Sequence, residues 1–407
     1  MPPRRRVLAF GLGGDAPPPT DLVALGSGGL GLAVGLTEGG LPAAWGPAAP
    51  AALPTWPPPD DAVGAAPTAV AAAPDTVLAL TPCTVHAAGW AGDGLMGLEE
   101  GASSPPYSAW ARVPLPLPPT LTLTSISAGE GHALALDSAG RVWAWGCDAE
   151  GQVGLLASSS CAVASPTCVL GPGSVRGGPP CAAVAAGGRH SLALAAAVAP
   201  RPPSSRPKAP SPPPSHPPVY AWGWAGRGQC GSGDGGGAPP SPPAPRLRAP
   251  TPIPGLAGLP APVTALAAGL AHSLFLAGGG VYWCGAAWAA PAEGGVGAGG
   301  GGGTGSTPPA GDTDTPALVA GGLLDSAGPA GDVSAIAAGG RHSLALTAGG
   351  AVVAWGCGRQ GGLGEGWQRD GDEGAGSGGG VGPVTLVAGG ALSVAAGRWH
   401  SLVVVEE

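Results

Sequence analysis

The chain has 407 residues and a formal charge of −8, with 10% charged residues, 78 glycines and 51 prolines. That balance argues against a dominant nucleic-acid surface, because phosphate binding needs clustered Lys and Arg, and the tight cluster here is Arg4, Arg5 and Arg6. No apolar run approaches the roughly 18 residues of a membrane span, and Val7–Phe10 is too short for a secretory h-region, so an intracellular location, cytoplasmic or nuclear, is expected.

Glycine and proline at this level mean disorder unless the sequence carries order. Order emerges along the chain. Val7-Leu-Ala-Phe-Gly11 is a short apolar strand with no adjacent partner. Residues 24–46 form a degenerate unit: Leu-Gly, a short apolar stretch, Gly39-Gly40 and Ala44-Trp-Gly46. Residues 70–97 form a second, with Val70-Ala-Ala, Val77-Leu-Ala-Leu-Thr81 and a glycine corner, Gly94-Leu-Met-Gly97.

Clear units follow at 126–154, 184–231, 266–297, 336–364 and 394–405. Ala186–Leu194 and Ala338–Leu346 both read Ala-Gly-Gly-Arg-His-Ser-Leu-Ala-Leu; Ala128–Leu136, Ala268–Leu276 and Ala396–Val404 are close variants. A second motif recurs as Arg141-Val-Trp-Ala-Trp-Gly146, Val219-Tyr-Ala-Trp-Gly223, Val281-Tyr-Trp-Cys-Gly285 and Val352-Val-Ala-Trp-Gly356. A third is the corner, Glu150-Gly-Gln-Val-Gly154, Arg227-Gly-Gln-Cys-Gly231 and Gln360-Gly-Gly-Leu-Gly364. In the unit 70–97 the His place is taken by Thr76 and the Trp place by Ala88. These short alternating runs with Gly-containing turns read as antiparallel hairpins. Thr315–Val319 and Gly382–Leu386 are candidate fourth strands, where proline is tolerated at an edge.

The last unit stops after its His-Ser-Leu strand, and Val7–Gly11 looks like its missing partner. Six internal units and one shared between the termini give seven. The His190–Trp222 spacing exceeds that of His132–Trp145 and His342–Trp355 by the length of Pro200–Pro218, so this Pro-rich stretch is a loop insert at a hairpin tip. Further Gly- and Pro-rich inserts lie at 231–254, 297–315 and 365–382.

In order and content the three motifs resemble the regulator-of-chromosome-condensation repeat. The resemblance implies an all-β, seven-bladed propeller, here spanning 7–405 as a single domain closed by pairing of its N- and C-terminal strands. It also implies a partner-binding role, with guanine-nucleotide exchange on a Ran-like small GTPase as the family's founding activity and a chromatin-associated adaptor as a further reading. Exchange would act through binding energy on one propeller face. The partner is expected on a loop-rich face, a small GTPase or chromatin protein being candidates, with no membrane and no direct nucleic-acid contact. A non-enzymatic interaction scaffold is the expected function.

The recurring His132, His190, His272, His342 and His400 sit at equivalent places in different blades, too far apart to share a metal. They are expected to be structural and to bridge the backbone of the turn beside them, as are Gly129, Gly187, Gly269, Gly339 and Gly397 in that turn and Trp145, Trp222 and Trp355 in the core. The eight cysteines lack C-x-x-C spacing and read as reduced. The run Gly299–Gly303 is not followed by Gly-Lys-Ser/Thr, so it is no phosphate loop. No catalytic, cofactor or metal site is expected.

Overall fold

The computed structural model describes residues 5–11, 19, 22–26, 31–50, 52–58, 65–90, 94–97, 109–156, 161–197, 216–232, 246–286, 313–319, 332–357, 363 and 381–406. The chain begins with β1 (Arg5–Phe10), whose partner comes last. Blade 1 holds β2 (Leu22–Gly26), β3 (Ala33–Thr37) and β4 (Pro42–Trp45). Blade 2 holds β5 (Ala69–Ala73), β6 (Thr76–Leu80), β7 (Val85–Gly89) and β8 (Ala111–Val113). Blade 3 holds β9 (Leu123–Ala128), β10 (His132–Asp137), β11 (Val142–Cys147) and β12 (Ala162–Leu170).

Blade 4 holds β13 (Cys181–Ala186), β14 (His190–Ala195), β15 (Val219–Trp224) and β16 (Arg246–Pro252). Blade 5 holds β17 (Val263–Ala268), β18 (His272–Ala277), β19 (Gly280–Gly285) and β20 (Thr313–Leu318). Blade 6 holds β21 (Val333–Ala338), β22 (His342–Thr347), β23 (Val352–Gly356) and β24 (Val381–Val387). Blade 7 joins β25 (Ala391–Ala396) and β26 (Ser401–Glu406) to β1.

Small residues dictate the ring. The innermost strands of blades 2 and 4–7 are rich in alanine, as in Cys181-Ala-Ala-Val-Ala-Ala186, so neighbouring inner strands can converge. They touch in the cycle β2, β5, β9, β13, β17, β21, β25 and back to β2. The cores lie between blades rather than on the axis. Blades 3 and 4, for example, share Leu134, Val142, Ala193 and Trp222. Proline enters the outer strands at Pro166, Pro250, Pro316 and Pro383, inside the strand rather than only at its start. The third-to-fourth pairings there shift register, which frees the ladder from needing a donor at each position.

Both degenerate units take their place in the ring. Thr76 opposes Gly89 as His342 opposes Gly356, and Val77 opposes Ala88 as Ser343 opposes Trp355. The Pro-rich stretch 200–218 falls between β14 and β15, and up to residue 215 it lies outside the described residues, as do most of the inserts at 231–254, 297–315 and 365–382. Among the described residues no helix is long and apolar enough to cross a membrane.

Ring closure is antiparallel, with Val7 opposite Val404 and Phe10 opposite Ser401. Val7 is buried and packs with Leu402 and Val404 of its own blade and with Ala33 and Trp45 of blade 1. Leu8 and Phe10 are half-buried and Ala9 is exposed, so the strand's apolar contribution is smaller than four buried side chains would give. Burial of one whole and two partial side chains is worth about 3–6 kcal/mol, against a typical domain stability of about 5–15 kcal/mol. Removing Met1–Gly14 is therefore expected to lower the melting temperature by many degrees and to promote aggregation through the opened edge. A truncated protein that stays monomeric and melts like the intact chain would show that β1 does not hold the ring.

Candidate functional site

Every blade turns from its first to its second strand at the same rim, and there the His motif does its work. The histidines are buried: 0% exposed at 132, 190, 272 and 400, and 2% at 342. In blade 4 the turn closes on itself by backbone, Gly187 N–H donating to His190 O at 2.9 Å. The imidazole does not bridge that turn, contrary to the expectation from sequence. Its Nε2 crosses to the next blade. His132 Nε2 lies 2.9 Å from Ser191 Oγ, His190 Nε2 2.9 Å from Ser273 Oγ, His272 Nε2 3.1 Å from Ser343 Oγ and His342 Nε2 3.0 Å from Ser401 Oγ.

The serine hydroxyls set the tautomer. Ser191 Oγ donates to Gln152 O and Ser273 Oγ to Gln229 O, both at 2.7 Å. With its one proton committed, each hydroxyl must accept from imidazole, so His132 and His190 carry hydrogen on Nε2. The carbonyl belongs to the glycine corner of the preceding blade, and it also accepts from Trp222 Nε1 at 2.8 Å. Trp145 makes the matching bond to Leu95 O at 2.8 Å, in the corner of blade 2. The corner's glutamine holds its own loop, since Gln152 Oε1 accepts from Glu150 N and Gln229 Oε1 from Arg227 N. His, Ser, corner and Trp thus form one repeating polar seam between blades.

The repeat glycines allow close approach. A Cβ on Gly129 would stand 2.2 Å from Gly187 O and 2.6 Å from His132 Cε1, and the same crowding recurs at Gly187, Gly269 and Gly339 with the next glycine's carbonyl. At Gly397 the imidazole of His400 alone does the crowding.

Trp145, Trp222 and Trp355 are fully buried. In blade 5 the order is transposed: Cys284 opposes Ser273 where Trp222 opposes Ser191, and Cys284 Sγ, 3.5 Å from Gln229 O, takes the indole's place. Trp283 faces the other way, into the core shared with blade 6. The serines and the corner carbonyls are the site residues that the sequence reading missed. A signal existed: serine follows His only where the preceding blade carries His. Thr76 occupies the His place in blade 2, and blade 3 has Ala133 where blades 4 to 7 have serine.

The outward-facing part of this rim is polar. Glu150 sits between Arg246 Nε at 2.7 Å and Arg189 Nη1 at 3.8 Å, and Arg398 pairs with Glu130. Among the described residues no group of three or more His, Cys, Asp or Glu side chains could hold a metal ion. All connections from third to fourth strands also leave from this rim, including those spanning 91–110, 225–245, 286–312 and 357–380.

Burial lowers all five imidazoles from 6.5: to about 4 for His132, His342 and His400, and to about 3 for His190 and His272. Below pH ~6.5 the unfolded chain binds protons that the folded ring refuses, so stability is full near neutrality and falls as pH drops toward 4. Each histidine contributes up to about 1.4 kcal/mol per pH unit in that window. Urea unfolding followed from pH 7 to pH 5 should show a steady loss of stability with proton uptake on unfolding. Constant stability across that interval would contradict neutral, buried imidazoles.

Two sequence models of the regulator of chromosome condensation (RCC1) repeat match the chain, one at residues 139–194 and 218–276, the other at 123–152 and 333–361. No curated protein matches the sequence. Among solved structures, human WBSCR16 is similar over 100% of both chains, with a TM-score of 0.71 and 18% identity. Prp20p from Saccharomyces cerevisiae, studied with its binding to Gsp1p and histones, is similar over 100% of this chain and 92% of its own, with a TM-score of 0.70 and 19% identity. Yeast RCC1 (Prp20) in complex with Kap60 gives 0.64 and 19% over 95% and 80%. Identities this low speak to the fold, while the repeat matches speak to the sequence motifs. The chain is a seven-bladed β-propeller that carries regulator of chromosome condensation repeats within residues 123–194, 218–276 and 333–361.

Proposed function

We propose that the chain is one propeller domain, residues 7–405, that works as a non-enzymatic scaffold binding a protein partner on the rim of the His turns. The observation that carries this reading is the division of labour in the repeat. Its recurring polar side chains are buried and spent on the seams between blades. Recognition then falls to the connections that vary from blade to blade, which are longest on the His rim. A rigid ring presenting variable loops suits binding rather than covalent chemistry.

The charges of that rim favour a protein partner over nucleic acid. Arg189, Arg246 and Arg398 each lie beside a carboxylate, so they form no basic patch of the kind that phosphate contacts need. All eight cysteines are free thiols, in keeping with a reducing intracellular compartment, cytoplasmic or nuclear. In this reading the five repeat histidines, their glycines and the core tryptophans serve the ring and touch no ligand.

A second reading, nucleotide exchange on a small GTPase, is favoured by similarity along the whole chain to Prp20p, whose binding to Gsp1p and histones has been studied. A chromatin-associated adaptor role draws on the same similarity. A fold shared at 19% identity transfers no contact residue. Labelled GDP release from Ran and related small GTPases is expected to be unchanged by micromolar protein. Acceleration beyond about a hundredfold, or about 2.7 kcal/mol of barrier, would replace the scaffold with an exchange factor. Arg189→Glu is expected to weaken partner recovery from native extract, while Arg176→Glu on the opposite rim should leave it intact. The reverse pattern would move the binding face.

A further inference from the structure

Four His–Ser bonds run without interruption from blade 3 to blade 7, and then they stop. Across the closing seam His400 meets blade 1, where Ala33 holds the serine place, opposite Trp45. Neither ring nitrogen of His400 has a hydrogen-bond partner among the described residues, although the side chain is fully buried. Between blades 1 and 2 the pair is Leu32 and Val77, both buried and apolar. Between blades 2 and 3 it is Thr76, which donates to Trp90 O of its own blade, and Ala133. Five blades are therefore latched into an arc, and three consecutive seams around blades 1 and 2 lack the latch.

Among the described residues an ion pair spans this gap. The residue after each repeat glycine points at the axis, where Pro74, Glu130, Gly188, Leu270, Gly340 and Arg398 line one mouth of the central channel. In five of these blades the position is read directly from the motif, and only Glu130 and Arg398 are charged among the six. They carry opposite signs, they lie in blades 3 and 7, the two ends of the arc, and they form an ion pair. The pair reaches nearly across the ring, past the blades without latches. Arg398 is held in place by its own guanidinium over the Trp399 ring at 5.2 Å and by Gly340 N–H donating to Arg398 O at 3.0 Å.

We propose that the Arg398–Glu130 pair is a cross-axis tie that closes the arc of blades 3–7 at the channel mouth, leaving blades 1 and 2 as the sector where the ring yields. The two side chains are 28% and 26% exposed, so the tie is neither sealed from solvent nor fully screened by it. A sector that opens while the arc stays intact is a local unfolding unit with its own free energy.

Native-state hydrogen exchange of the full chain, read by mass spectrometry, tests this. The wild type should exchange faster in β3, β6 and β26 than in β14, β18 and β22. Glu130→Gln and Arg398→Gln should each speed exchange at β3, β6 and β26 by about threefold, the scale of a partly exposed ion pair, and leave β14 and β18 unchanged. The charge swap Glu130→Arg with Arg398→Glu should return the wild-type rates. Both residues lie at the rim, so these variants are expected to fold. Acceleration spread equally over all blades, no acceleration, or a swap that behaves like the single variants would each overturn the proposal.

Discussion

A hydroxyl that must accept from the imidazole of the preceding blade and donate to the corner carbonyl of that same blade is the constraint on which the ring depends. Ser191 accepts a hydrogen bond from His132 of blade 3 and donates one to Gln152 O, which also lies in blade 3, in the corner loop. Both bonds are buried, where an unsatisfied polar group costs about 1–3 kcal/mol. The imidazole must therefore be neutral, on the Nε2 tautomer, and pressed against a glycine. Each of the repeat's odd preferences follows: glycine because a Cβ would strike the imidazole, serine because alanine would leave Nε2 without a partner. The indole N–H of Trp222 completes the same carbonyl. Packing between blades then has a polar register as well as an apolar area.

The inner strands of the repeats, the number of blades and the closing pair were legible in the sequence because each rests on a local pattern, whereas outer strands such as β16, inside a stretch that reads as a loop insert, were not. Gly-His-Ser-Leu and Val-x-Ala-Trp-Gly alternate with the strand period, and Val7–Phe10 had no other partner. What the histidine bonds to was not legible, because its acceptor lies in the next repeat. The separation varies too, 59 residues for His132 and Ser191 but 83 for His190 and Ser273, since inserts intervene. The sequence reading sent the imidazole to its own turn, which the backbone bond from Gly187 to His190 O already satisfies. Blade 5 hides a further exchange, for Trp283 looks like the repeat tryptophan and Cys284 stands in its place. Only the register reveals which of the two faces the corner carbonyl.

The same logic explains why blades 1 and 2 look degenerate without being misfits. Loss of His at Thr76 goes with loss of serine at Ala133, and Leu32 goes with Val77, so in two of the three seams both latch partners are lost together. The closing seam alone keeps a histidine, His400, against an alanine. A ring so built has a stiff arc and a softer sector, and its loops are free to differ beyond their glycine corners, because it is the corners that enter the seams. Specificity for a partner then resides in residues the repeat does not dictate, which is why the motif identifies the repeat and not the partner.

The most direct test of this account is a double-mutant cycle on one latch, with His190→Ala, Ser273→Ala and the pair compared by equilibrium unfolding at pH 7. Each single variant should lose about 1–3 kcal/mol, the cost of stranding a buried partner, and the double variant should lose less than the sum by about 1 kcal/mol or more. Losses that simply add would mean that the imidazole and the hydroxyl do not speak to each other across the seam, and the latch would not be what holds the blades in register.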